Sequence, residues 1–181
     1  MSSKSMVSMD LDFSDVVRML RAGDAAADRA VVRALNRGAR SLAAKAAQEI
    51  SAETKVSPQR LIKRRIKRDA ARQGHHVATV RCMTRDIPLI KVARTRDTKT
   101  TGVSSPPGHW PRAFIAKGVS PTQQVFQRKG RAPYPLDVVK VRVQDTVESV
   151  LRRRADEAIE VVAKRLPVEL NHEWSKGNVA R

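Results

Sequence analysis

Residue types that can hold a metal or move a proton are the first thing to look for in this 181-residue chain, and His75, His76, Cys82 and His109 are its candidates. A zinc site asks for closely spaced pairs of such ligands. Two adjacent histidines, one thiol and a distant third histidine match no such spacing, so no metal is expected, and Cys82 reads as a small apolar residue on a strand. The nearby carboxylates, Glu53, Asp69, Asp86, Asp97 and Asp137, are scattered over 85 positions, whereas two-metal phosphoryl chemistry needs them clustered. There is no phosphate-cradling glycine loop, no dinucleotide fingerprint and no nucleophile elbow. His172 reads as an ordinary residue of a last helix. The expectation is a protein without catalytic residues and without a cofactor.

Binding chemistry is better represented. Arg60, Lys63, Arg64, Arg65, Lys67 and Arg68 place six cations in nine residues. With Ser57 as cap and Pro58 in the first turn, they predict a short helix from Pro58 to about Asp69, its inner edge formed by Leu61, Ile62 and Ile66. Such a helix would contact phosphates or an acidic partner; the plainer alternative is a surface helix whose charges only keep the chain soluble. Like charges this close repel one another, which calls for a counter-charge. The chain's net charge of +18 is unevenly placed. Residues 53–143 carry 21 basic and 5 acidic side chains, a net +16, while residues 1–52 carry +2 and residues 144–181 are neutral. A belt of this kind meets a polyanion or an acidic protein face.

The elements that must position these residues follow from periodicity. Residues 1–10 are rich in Ser and Met without a period and are expected to be frayed. Asp12 or Ser14 would cap a short helix through Leu20, ended by Gly23. Asp24 then caps a long helix to about Ser51, with Val31, Leu35, Ala39, Leu42, Ala46 and Ile50 on one stripe and many alanines favouring the helix. After Gly74, Ala78, Val80 and Cys82 alternate with Thr79, Arg81 and Met83 as a strand, and Ile87–Ala93 is its expected hairpin partner. Arg94–Trp110 is rich in Thr, Ser, Gly, Lys and Pro and predicts a long mobile loop. Short strands are expected at Arg112–Ala116 and Gln123–Arg128, separated by Gly118 and Pro121.

Gly130–Val143 then passes from turn to strand to helix. Pro133 and Pro135 bracket Tyr134 in a rigid turn. Val139, Val141 and Val143 fall on one face of the following strand, with Lys140 and Arg142 on the other. Asp145 with Glu148 resembles a capping box, and a helix follows to about Arg165, interrupted by Pro167, with Gly177 ending the order. Because Trp110, Phe114, Phe126 and Tyr134 lie in or just before this stretch, the core is expected to centre here, with Pro133, Tyr134, Pro135, Val139 and Val141 as an internal fixture setting the angle between sheet and helix.

Aromatic residues are only 3% of the chain against 41% hydrophobic, so the core must be aliphatic. The length suits one domain, residues 24–176, with an extension and short helix at 1–23, a loop at about 94–111 and a tail at 177–181. The fold class is α+β, with long N- and C-terminal helices flanking a small antiparallel β-sheet. A single cysteine excludes an internal disulfide, and no run of about 18 apolar residues predicts a membrane span.

Several strings, in this order and spacing, resemble the phage minor tail protein Z family, the tail-completion or neck proteins of lambda-like siphophages and their prophages. They are Ala34-Leu35-Asn36-Arg37, Glu53-Thr54-Lys55-Val56, Ile87-Pro88-Leu89-Ile90-Lys91, Ala113-Phe114-Ile115, Tyr134-Pro135-Leu136-Asp137-Val138-Val139-Lys140, and Arg165-Leu166-Pro167 followed by Glu169-Leu170. Together they cover roughly residues 25–173. The segment Arg94–Trp110 departs from relatives that carry a dense Arg/Lys run there. The resemblance implies a structural, non-enzymatic virion protein that completes the head-proximal end of the tail and supports head–tail joining and placement of the genome end. It also implies an oligomer, expected as a hexameric ring, with other tail and neck proteins as partners, non-specific contact with the double-stranded genome end, no membrane, and assembly in the host cytoplasm. The competing class is a stand-alone, non-specific nucleic-acid-binding protein. It rests on charge alone, since stacking aromatics and a helix-turn-helix are both missing.

Overall fold

Val31, Leu35, Ala39, Leu42, Ala46 and Ile50 recur every three or four residues, and all six are buried. They lie on one stripe of a 29-residue helix in the computed structural model of the chain, which describes residues 6–12, 25–98, 101–118, 122–132 and 134–179. In chain order the elements are strand β1 (Met6–Asp12), helix α1 (Ala25–Glu53), the single turn α2 (Arg60–Lys63), β2 (Ile66–Asp69), β3 (Val77–Met83), β4 (Ile87–Pro88) and a 3₁₀ turn at Leu89–Lys91. There follow β5 (Arg96–Asp97), β6 (Val103–Ser105), β7 (Gly108–Trp110), β8 (Ala113–Lys117), β9 (Gln123–Arg128), β10 (Leu136–Val138), β11 (Lys140–Val141) and helix α3 (Gln144–Val179). The fold mixes helix and strand, but the strands form several small antiparallel sheets rather than one, in the orders β1-β3-β2, β10-β9-β8, β5-β6-β7 and β11-β4.

The core lies between α1 and α3. Val147, Val150, Leu151, Ala158 and Val162 of α3 are buried against the α1 stripe. At Gly38 the helices come close: a Cβ there would strike Val162 Cγ2 and sit 3.3 Å from the Ala158 carbonyl and 3.6 Å from Leu11 Cδ1. α1 ends through Thr54, whose amide donates to Ile50 O at 3.0 Å, and Lys55, which takes a left-handed φ of 53°. Ser51 Oγ then donates to Val56 O at 2.6 Å and turns the chain back under the helix.

Several expectations are overturned. Residues 6–12 are not frayed: β1 pairs along its whole length with β3, from Met6 opposite Met83 to Asp12 opposite Val77, and Leu11 is buried. The strand's signal is the alternation of Val7, Met9 and Leu11, turned inward, with exposed Ser8, Asp10 and Asp12, a run of only seven residues that a search for longer periods passes over. Asp12 is the last residue of β1; the short helix expected after it, with Ser14–Leu20, Gly23 and Asp24, lies outside the described residues, as do Pro121 and Pro133. Ile87–Ala93 is not the partner of β3. Pro88 has no amide to donate, so the run turns into the 3₁₀ segment, and β4 pairs with β11 while β3 pairs with β1 and β2. Arg94–Trp110 contains three short strands around buried Val103. Gly102 makes the turn into β6 at φ 116°, where a Cβ would collide with the Trp110 carbonyl.

Pro167 does not interrupt α3, which runs on past it to Val179. The carbonyl four residues back, that of Ala163, loses its helical donor, but Ala163 and Pro167 are both exposed, where water can serve. Beyond the proline, Glu169 and Glu173 tie the helix to α1 through Arg37 and Arg29. Nor does the core centre on the aromatic rings. Trp110, Phe114 and Phe126 are half-buried, and Tyr134 is 75% exposed. No helix among the described residues is long and apolar enough to cross a membrane.

Candidate polyanion and partner interface

The six clustered cations do not share a helix. Helical hydrogen bonding stops after one turn, with Arg64 N–H donating to Arg60 O at 3.1 Å and Arg65 N–H to Ile62 O at 2.9 Å. The chain then extends so that Ile66 can pair opposite Cys82 on β3. Sheet pairing gives the next residues ladder bonds and separates their charges, whereas a longer helix would have stacked all six. Arg60 and Lys63 therefore sit on α2 and Arg64 at its end, while Lys67 and Arg68 point to opposite faces of β2. Lys67 lies beside Arg81, which is itself paired with Asp69. Arg68 lies opposite buried Val80, on the face toward α1. Arg65 is turned inward: its guanidinium donates to the carbonyls of Arg85 and Asp86, and burial lowers its pKa from the usual arginine value.

Sequence reasoning missed the cations that join Lys63 and Arg68 on one face. Along the α1 face away from its core stripe, three clefts adjoin one another. The first, of about 600 Å³, is lined by Arg33, Arg37 and Arg40 with Arg165 of α3. The second, about 270 Å³, shares Arg40 and adds Lys63 and Arg68. The third, about 840 Å³, shares Lys63 and Ala44 and adds Lys55 and Arg94. The spacing of Arg33, Arg37 and Arg40, four and three residues apart, was a signal that these three share a face. The approach of Arg68 and Arg94 to that face had no local signal.

Among the described residues, five helix carboxylates pair with cations along the α1–α3 seam, Glu169 also lining the first cleft. Glu173 accepts from Arg29 Nε at 2.8 Å and lies 2.5 Å from Arg33; Glu169 pairs with Arg37 at 2.9 Å; Glu157 pairs with Lys45 at 3.0 Å and with Arg154. Glu49 and Glu53 both face Arg153, Glu53 at 2.6 Å. The Arg154 guanidinium holds Glu49 below the usual carboxylate value, Lys45 does the same for Glu157, and Arg29 for Glu173.

Of the structural candidates, Val139 and Val141 are buried as expected, and Val139 joins two sheets: its N–H donates to Val125 O at 2.9 Å and its carbonyl accepts from Leu89 N–H at 3.0 Å. Tyr134 is not an internal fixture, since it stands in solvent next to the cis peptide to Pro135. Cys82 is buried on β3, where burial pushes its thiol up to about 11. His76 meets Asp28, and His109 Nδ1 lies 2.8 Å from Ser104 Oγ; among the described residues no three His, Cys, Asp or Glu side chains are grouped as metal ligands.

The family model of prophage minor tail protein Z matches residues 13–177. The chain belongs to this family. No curated protein and no solved structure matches it. Membership makes the chain a structural protein of the phage tail, carried in the virion and working beside other tail proteins. Two of the strings shared with minor tail protein Z have evident structural work in this chain. Asn36 clamps the backbone of Ala71, its Nδ2 donating to Ala71 O at 3.1 Å and its Oδ1 accepting from Ala71 N–H at 2.9 Å. Arg37 and Glu169 pair across the two helices.

Proposed function

We propose that this minor tail protein Z chain completes the head-proximal end of the tail as a closed ring of copies and supports head–tail joining and placement of the genome end. The supporting observation is the segregation of charge. Glu49, Glu53, Glu157, Glu169 and Glu173 are paired with cations across the helix seam, while residues 53–143 carry a net +16. A ring suits a neck because heterologous contacts that close around an axis give cyclic assemblies.

Magnitudes divide the belt between two partners. α1 has 29 residues, about 44 Å at 1.5 Å per residue, and duplex DNA of that length presents about 25 phosphates. Six belts of +16 would total about +96, far more than enclosed DNA can neutralise. Most of the belt therefore faces acidic surfaces of adjoining tail and neck proteins. Arg60, Lys63, Arg64, Lys67 and Arg68 are the DNA- or partner-contacting cations of the belt, on a turn and an edge strand rather than on one helix, while Arg65 is held inward by the carbonyls of Arg85 and Asp86.

The test is complementation. A lysate of phage lacking this gene should contain heads and tails that fail to yield infectious particles, and adding the purified chain should restore them. Negative-stain imaging of that chain, or of tails that carry it, should show a ring at the head-proximal end. Normal infectious particles in the absence of the gene would overturn the proposal and return the chain to the class of free nucleic-acid-binding proteins.

A further inference from the structure

We propose that the groove formed by the three adjoining clefts along α1 is a binding track for the phosphate backbone of duplex DNA, distinct from the surface presented by Arg60, Arg64 and Lys67. It runs from Arg33 to Ala52, about 28 Å along the helix, because the clefts share Arg40, Lys63 and Ala44. Its floor is made of small or polar residues, among them Asn36, Ala44, Gln48, Ser51 and Ala52, which let a backbone approach the helix closely. Its walls carry Arg40, Lys55, Lys63, Arg68 and Arg94, and among the described residues no carboxylate lies within ion-pair distance of any of these five. The only described carboxylate on the lining, Glu169, is held by Arg37.

Uncompensated cations held along one groove raise each other's energy, and the cost is recovered when an anion of matching length binds. One strand of a duplex offers a phosphate about every 3.4 Å of axis but winds around that axis, so a straight groove of this length meets only a few consecutive phosphates, a number that the unpaired cations can match. Arginine forks and lysine ammonium groups match phosphate oxygens, and the small floor residues let the backbone approach them. No Phe, Tyr or Trp among the described residues lines the groove, and its one aromatic ring is the His172 imidazole at the α3 end. Stacking of unpaired bases is thus not provided for, and the aromatic anchors that dominate protein–protein contacts are missing too. Duplex backbone, read without sequence preference, is the ligand that remains.

This inference gives a residue-level site to the genome-end role in the proposed function, yet it is read without any tail. Binding of the full chain to a labelled mixed-sequence duplex of about 30 base pairs is measured between about 50 and 200 mM salt. The variant Arg40→Ser/Lys63→Ser/Arg68→Ser is set against Arg60→Ser/Arg64→Ser/Lys67→Ser, which removes equal charge outside the groove. Each lost phosphate contact lowers the log–log salt slope by about 0.9, so the groove variant should flatten it by about 2 to 3 and the other by less than about 1. A cross-linker on Ala44→Cys, at an exposed position on the groove floor, should capture the duplex, with buried Cys82 left unlabelled; this readout does not depend on a variant that loses function. Equal slopes for the two triple variants, no cross-link from Ala44→Cys, or displacement of the duplex by poly-glutamate at equal charge would each overturn the track. Loss of DNA binding by a groove variant that still restores infectivity would confirm the track while overturning the genome-end role.

Discussion

Asn36 shows how one polar side chain can fix the fold locally. Its amide satisfies both backbone groups of Ala71, a buried residue between β2 and β3, and so anchors that connection to α1. In Asn36→Ala both groups lose their partners, and the cost should be about 2–4 kcal/mol of stability, read from urea unfolding. Val139 is the second such position, since its backbone joins β9 to the 3₁₀ turn while its side chain is buried. Val139→Asp places an uncompensated carboxylate there and should cost about 3–5 kcal/mol, leaving little soluble folded chain. A soluble variant with an unchanged melting temperature would show that the site opens to water. Tyr134→Ala, by contrast, should leave melting unaltered because the ring is in solvent.

At the scale of elements, the helix pair α1–α3 carries the fold. Gly38 permits its closest approach, so Gly38→Ala sets a gain in helix propensity of about 1 kcal/mol against overpacking on Val162 and the Ala158 backbone, which costs about 1–3 kcal/mol. Net destabilisation is expected, seen as a lower urea midpoint; a rise would mean that Val162 rotates away freely. The seam also makes the pair sensitive to acid. Glu49, Glu157 and Glu173 have folded-state values lowered from the ordinary 4.5 by Arg154, Lys45 and Arg29 respectively. The unfolded chain therefore takes up protons first as pH falls. The seam's contribution is full above about pH 4.5 and is lost as pH drops through the lower folded values. Urea midpoints should decline below that pH, and in Glu49→Gln/Glu157→Gln/Glu173→Gln the decline should be shallower, from a lower starting stability.

For the whole molecule, the first strand matters more than its composition suggests. β1 covers one edge of β3, and Leu11 packs near Gly38 where the two helices meet. Deleting residues 1–12 removes that plug and leaves β3 as an open edge. The shortened chain should melt at a lower temperature and associate in a concentration-dependent way by light scattering. A shortened chain with the assembly state and melting temperature of the full chain would mean that the strand is dispensable. The uneven charge, with a neutral seam and a belt of +16, belongs to the same scale, because it decides which side of each copy can face its partners.

Much of this was legible in the sequence because it rests on local physics. The buried stripe of α1 follows from its 3.6-residue period, β3 and the inward valines at 139, 141 and 143 from strict alternation, and the charge belt from counting. The family strings marked the chain as a tail protein before any coordinate. What the sequence left undecided depends on partners distant in the chain. The run Arg60–Arg68 has a helical composition yet breaks, because β3 offers Ile66–Asp69 a ladder that local propensity cannot anticipate. Pro167 has the composition of a helix end yet lies inside α3, because Arg29, Arg33 and Arg37 on a helix far earlier in the chain hold the segment beyond it. The groove cations likewise come from α1, the turn that ends it, α2, β2 and the turn after the 3₁₀ segment. No sequence period connects those five places; only the packing of the sheet against α1 brings their charges to one line.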